Sequence, residues 1–68
     1  MKTLGKALPK EMKRVRDEVL PIYLECGAAG LPAVYMMRTD LDLAAKALSE
    51  GDIEAMIKAY QSLKGYNL

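Results

Sequence analysis

The 68-residue sequence contains no histidine, tryptophan or phenylalanine, and its single cysteine is Cys26. Without histidine the chain lacks the side chain that most often acts as a general base near neutral pH. One thiol can form neither an internal disulfide nor a zinc site. We therefore expect no enzymatic activity, no metal and no cofactor. The hydrophobic core must consist mainly of aliphatic residues, methionine and alanine.

Long apolar runs are also absent. No run approaches the roughly 18 residues that a membrane-spanning helix needs. The N-terminal stretch is interrupted by Lys6, Lys10 and Lys13, which is untypical of a secretory signal. Together with the unpaired cysteine, these features predict a cytoplasmic protein that does not associate with a membrane.

The composition is that of a small globular domain, with 51% hydrophobic and 28% charged residues. The net charge is only +1, but its distribution is uneven. Residues 1–16 contain six basic side chains against one acidic residue, Glu11. Domains of this size often need a disulfide, a metal or a partner subunit for stability. Because the first two are not expected here, assembly is the remaining route.

The central helix is predicted over residues 31–49. Pro32 suits a first helical turn, where its missing N–H would be unpaired in any case. Gly51 suits the left-handed position that follows a helix end. Between them, apolar residues recur at steps of three and four, as expected for one buried helical face. That face comprises Val34, Met37, Leu41, Ala44 and Leu48.

Two further helices flank the central one. The first is predicted to run from Pro9 to about Cys26, with a kink at Pro21, which cannot donate to the carbonyl of Asp17. The third is predicted over residues 53–64, with Asp52 as its N-cap. Their predicted buried residues are Leu8, Met12, Val15, Val19, Ile22 and Cys26 on the first helix, and Ile53, Met56, Ile57, Tyr60 and Leu63 on the third.

These helices predict an all-α fold, an antiparallel three-helix bundle whose first helix is kinked near Pro21. Residues 1–8 are predicted to form a loose N-terminal arm because they show no strong period. Residues 9–65 then form a single three-helix domain, and residues 66–68 form a short tail.

A second apolar ridge on the central helix is the best candidate for a functional surface. Met36 falls beside Leu43 and Ala47, away from the centre of the buried face, and Tyr35 lies near the rim. The ridge is either a flank covered by a neighbouring helix or a partner-binding strip, for which flexible methionines are well suited. On the second interpretation the protein is an interaction module that binds itself, as a homodimer, or another protein.

The basic N-terminal third supports an alternative function. Lys6, Lys10, Lys13 and Arg14 can lie on one side of the first helix, where they could contact the phosphates of a nucleic acid. A solvated helix face also carries lysines by default, and acidic residues interrupt this one. The alternative is therefore a weak nucleic-acid binder.

The chain resembles small uncharacterised helical proteins encoded in bacterial prophages. The resemblance extends over roughly residues 8–65 and implies a short helical fold of bacterial or phage origin, without an activity to assign. It rests on a Gly-Ala-Gly turn, a Met-Met helix, a Gly-Asp hinge and a Tyr-x-x-Leu-Lys ending, which are residues 27–30, 36–37, 51–52 and 60–64.

Overall fold

The computed structural model describes residues 3–68, and every regular element among them is helical. The predicted all-α three-helix bundle is confirmed. Its first helix is continuous but has three segments, and a short 3-10 turn joins it to the second. The elements are α1 Leu4–Arg14, a π-helical turn Val15–Val19, α2 Leu20–Glu25, the 3-10 turn Gly27–Gly30, α3 Leu31–Glu50 and α4 Ile53–Lys64.

A π-helical turn ends two residues before Pro21, close to the position where the kink is predicted. Within this turn the N–H of Leu20 donates to the carbonyl of Val15, five residues back rather than four. A π turn holds one more residue than an α turn. The extra residue lets the backbone hydrogen bonds rearrange at the position where Pro21 has no N–H to offer.

The same turn changes which side of the first helix is buried. One inserted residue rotates everything after it by about 100°. Ile22 and Cys26 were predicted to be buried, but Ile22 is 44% exposed and Cys26 is exposed as well. Leu20 is buried in their place, and Tyr23 packs against the core. The predicted face is correct before the turn and wrong after it.

The first helix begins earlier in the chain than predicted. α1 begins at Leu4, and Leu8 is completely buried in the core. The carbonyl of Thr3 accepts hydrogen bonds from the N–H groups of Lys6 and Ala7, so the helix is already formed there. The interpretation of residues 1–8 as a loose arm is therefore wrong from Leu4 onward, and residues 1–2 lie outside the described range.

The boundary between α3 and α4 lies where the sequence predicts it. Gly51 takes a left-handed conformation with φ 65° directly after α3. Asp52 caps α4, because its Oδ1 accepts a hydrogen bond from the backbone N–H of Ala55 at 3.1 Å. The two helices therefore reverse direction within two residues.

The face that α4 turns inward differs from the predicted one. Met56 and Leu63 are buried as expected, but Ile53 and Ile57 are 59% and 44% exposed. Ala59 is buried instead. On α3, Leu41 and Leu48 are only partly buried. The buried core consists of Leu8, Val15, Val19, Leu20, Val34, Met37, Ala44, Ala47, Met56, Ala59 and Leu63.

Candidate interaction surface

The outer face of α3 carries large apolar side chains that no other element covers. Met36 is 57% exposed, Leu43 55% and Tyr35 75%. Met36 and Leu43 are seven residues apart, so they lie nearly in line on the helix and about 10 Å apart along its axis. We call these three residues the α3 strip. Of the two interpretations of this ridge, a flank covered by a neighbouring helix is excluded for Met36 and Leu43.

Ala47 does not belong to this strip. It was predicted to bind a partner together with Met36 and Leu43, but it is only 2% exposed and belongs to the core. Ala47 lies four residues after Leu43, which turns it about 40° toward the bundle. The candidate partner-binding residues are therefore Tyr35, Met36 and Leu43.

A shallow groove runs between α3 and α4 beside Leu43. Its floor is apolar and its rim is charged, with Asp40 and Lys46 on α3 and Lys58 on α4. Protein interfaces commonly have an apolar centre and a polar rim. The groove therefore extends the apolar surface of the α3 strip toward α4.

The opposite edge of the α3 strip carries two side chains of opposite charge, Arg38 and Asp42. Both are exposed and they are four residues apart. Within residues 3–68, the salt bridges join Arg14 to Glu11 and Arg16 to Asp17. Arg38 and Asp42 are thus free of ion pairs within the described chain.

Asp40 is held by the C-terminal tail. The hydroxyl of Tyr66 donates a hydrogen bond to Oδ2 of Asp40 at 2.6 Å. Burial and the neighbouring carboxylate raise the pKa of Tyr66 to about 12, so this hydroxyl stays protonated well above neutral pH. The tail is also tied to α2, because the Tyr23 hydroxyl donates to the Asn67 carbonyl at 3.3 Å. The Asp40 carboxylate is therefore held in place by the tail.

The predicted basic face is only partly available. Lys6, Lys10 and Lys13 are exposed and lie on one side of α1. Arg14 is instead part of the bundle, because its Nη2 lies 3.0 Å from Oε2 of Glu11. The same nitrogen donates to the carbonyl of Leu63 at 3.1 Å, in the last turn of α4. A cation is favourable there because helix C-terminal carbonyls are partially negative. Arg14 is thus removed from the set that could meet phosphates.

Neither a metal-binding group nor a membrane-spanning helix is found among residues 3–68. No group of three or more acidic or cysteine side chains is placed to hold a metal ion in this range. None of the helices described there has the length and apolar character to cross a membrane. Comparisons with protein-family models, with curated proteins and with solved structures give no match for this chain.

Proposed function

We propose that the protein is a small interaction module that binds its partner through the α3 strip. The exposure of Met36 and Leu43 on the longest helix of the bundle is the observation that carries the proposal. Removing a large apolar side chain from water stabilises a complex by about 1.5–3 kcal/mol when burial is complete. The partner is a second copy of the chain or another protein.

Self-association has two further arguments in its favour. A domain of this size buries a small fraction of its surface, and no disulfide supplements its core because Cys26 has no second cysteine to pair with. Pairing the α3 strip with its own copy would remove it from water in both molecules. Two-fold dimers are also the commonest assemblies of soluble proteins. We therefore propose a homodimer with Met36 and Leu43 at its centre and Tyr35 near the rim.

Replacing Leu43 with lysine tests this proposal. Leu43→Lys should abolish the dimer, because it places a charge at the centre of an apolar contact. Sedimentation of the wild type and the variant over a range of concentrations measures the effect. Leu43 is exposed, so circular dichroism should show an unchanged fold.

Ile57→Lys is the matched control, since Ile57 is a comparably exposed apolar residue on α4. It should leave the dimer intact. A dimer that survives Leu43→Lys and dissociates with Ile57→Lys would place the interface on α4. A wild type that stays monomeric at high concentration would reject self-association and leave another protein as the partner.

Nucleic-acid binding is a second candidate, favoured by three exposed lysines on one side of α1. Lys6, Lys10 and Lys13 are successive neighbours on that face, and none of them forms a salt bridge with the described part of the chain. A gel shift on generic DNA at two salt concentrations tests it, because affinity from phosphate contacts falls steeply with salt. This candidate would be supported if the wild type binds DNA in a salt-sensitive manner and Lys10→Glu does not. It would be rejected if the wild type shows no salt-sensitive binding.

A further inference from the structure

We propose that the α3 strip is covered by α3 of a second copy, running antiparallel, with the two-fold axis passing beside Thr39 and Asp40. This inference rests on the proposed self-association and adds its orientation and register. Two independent sets of residues on α3, one apolar and one charged, select axes within half a residue of each other.

The apolar residues give the first indication of the register. In an antiparallel pair related by a two-fold axis, residues equally far before and after the axis face each other. An axis beside Thr39 and Asp40 brings Met36 of each copy opposite Leu43 of the other. These are the two half-exposed residues of the α3 strip, whose third residue is Tyr35. The dimer then contains two equivalent Met36–Leu43 contacts, one on each side of the axis and about 10 Å apart along the helix.

The charged residues select an axis at Asp40, only half a residue, or about 0.75 Å along the helix, from the one that the apolar residues give. Arg38 lies two residues before Asp40, and Asp42 lies two residues after it. The axis therefore brings Arg38 of each copy opposite Asp42 of the other, which forms two equivalent ion pairs. Both side chains are exposed and neither is paired within residues 3–68. Such rim pairs contribute more to orientation and specificity than to affinity.

The two sets also lie on the correct edges of the helix. Met36 and Leu43 form one edge of the exposed face, and Arg38 and Asp42 form the other. A two-fold axis across an antiparallel pair brings each edge against the same edge of the second copy. A parallel pair would instead place the charged edge of one copy against the apolar edge of the other. The arrangement of charges thus favours the antiparallel orientation.

The residues beside the axis do not oppose close approach. The hydroxyl of Thr39 already donates to the carbonyl of Tyr35 at 3.1 Å, so covering it leaves no unsatisfied donor. Asp40 is turned toward α4 and the tail, where Tyr66 holds its carboxylate. The two copies of Asp40 are therefore directed away from each other, which limits their mutual repulsion.

Charge reversal tests this register directly. Arg38→Glu or Asp42→Arg alone places two like charges opposite each other at two positions of the dimer. Each single variant should dimerise about tenfold more weakly or worse than the wild type. An equimolar mixture should form heterodimers of near wild-type affinity, because one ion pair is then that of the wild type and the other is restored with its two charges exchanged. Native mass spectrometry distinguishes heterodimers from homodimers by mass.

The outcomes distinguish a failure of this register from a failure of the proposed self-association through the α3 strip. If Leu43→Lys dissociates the dimer but the two charge variants form no heterodimer when mixed, the proposed register is wrong, whereas the α3 strip remains the dimer interface. Single variants that dimerise like the wild type also overturn the register. A wild type without any dimer overturns both. Arg38 and Asp42 are exposed, so circular dichroism of each variant should match the wild type.

Discussion

Leu8→Ala is expected to lower the free energy of unfolding by about 2–5 kcal/mol, the usual cost of truncating a fully buried leucine. Leu8 is 0% exposed and belongs to the core cluster. A domain of this size has roughly 5 kcal/mol of stability in total. The variant should therefore be close to unfolded at room temperature. Urea denaturation followed by circular dichroism measures the loss.

Leu41→Ala is the matched control, since Leu41 is a leucine at the edge of the core and only partly buried. It should cost clearly less than Leu8→Ala. All proteins must be compared at one concentration, because dimerisation would itself raise apparent stability. If Leu8→Ala had the smaller effect, residues 4–8 would after all behave as a loose arm in solution.

The ends of α3 and α4 could be predicted because single residues determine them by their own chemistry. Gly51 tolerates a left-handed backbone, and Asp52 offers a carboxylate to an unpaired N–H. Pro32 lies in the first turn of α3, as expected from its missing donor. None of these effects depends on the rest of the fold. The predicted boundaries are accordingly correct to within one residue for both helices.

The path of the first helix past Pro21 could not be predicted in the same way. The proline removes one donor, but the helix can respond with a break, a kink or a π turn. The choice depends on which continuation buries more apolar surface. Here the π turn buries Leu20 and leaves Ile22 exposed. One inserted residue was enough to make the predicted buried face of the first helix wrong after the π turn, although it is correct before it.

The inward face of α4 was predicted incorrectly because large apolar residues were given the most weight. Helices that pack closely need small side chains where their backbones approach. Ala44, Ala47 and Ala59 are all buried, whereas Ile53 and Ile57 remain exposed. The assignment of Ala47 to a partner surface failed for the same reason. Hydrophobicity alone does not distinguish an alanine at a helix contact from one at the surface.

The alignment of Met36 and Leu43 on one ridge could be predicted from sequence because it depends only on the phase of one helix, whereas their exposure also depends on where the other helices pack. The two contacts that restrain Asp40 and Arg14 could not be predicted. Tyr66 reaches Asp40 across 26 residues of sequence, and Arg14 reaches the Leu63 carbonyl across 49. No local pattern encodes such contacts. They appear only once the helices are placed against each other.

Gly30→Ala is expected to cost at least about 1–3 kcal/mol, the range for overpacking a tight site. Gly30 is buried where the first helix turns into α3. A Cβ at this position would overlap the carbonyl oxygen of Tyr23 and lie 3.2 Å from the Cβ of Cys26. The carbonyl belongs to the backbone, so it cannot rotate away as a side chain would. The connection between α2 and α3 would have to open.

Gly5→Ala is the matched control because nothing lies within 4 Å of a Cβ built on Gly5. Gly5 is in α1, where alanine is the better helix former, so this variant should be stabilised by about 0.5 kcal/mol. The same chemical change should therefore have opposite signs at the two positions. Thermal denaturation at fixed protein concentration measures both. A Gly30→Ala protein as stable as the wild type would mean that α2 and α3 are not packed this closely at their junction.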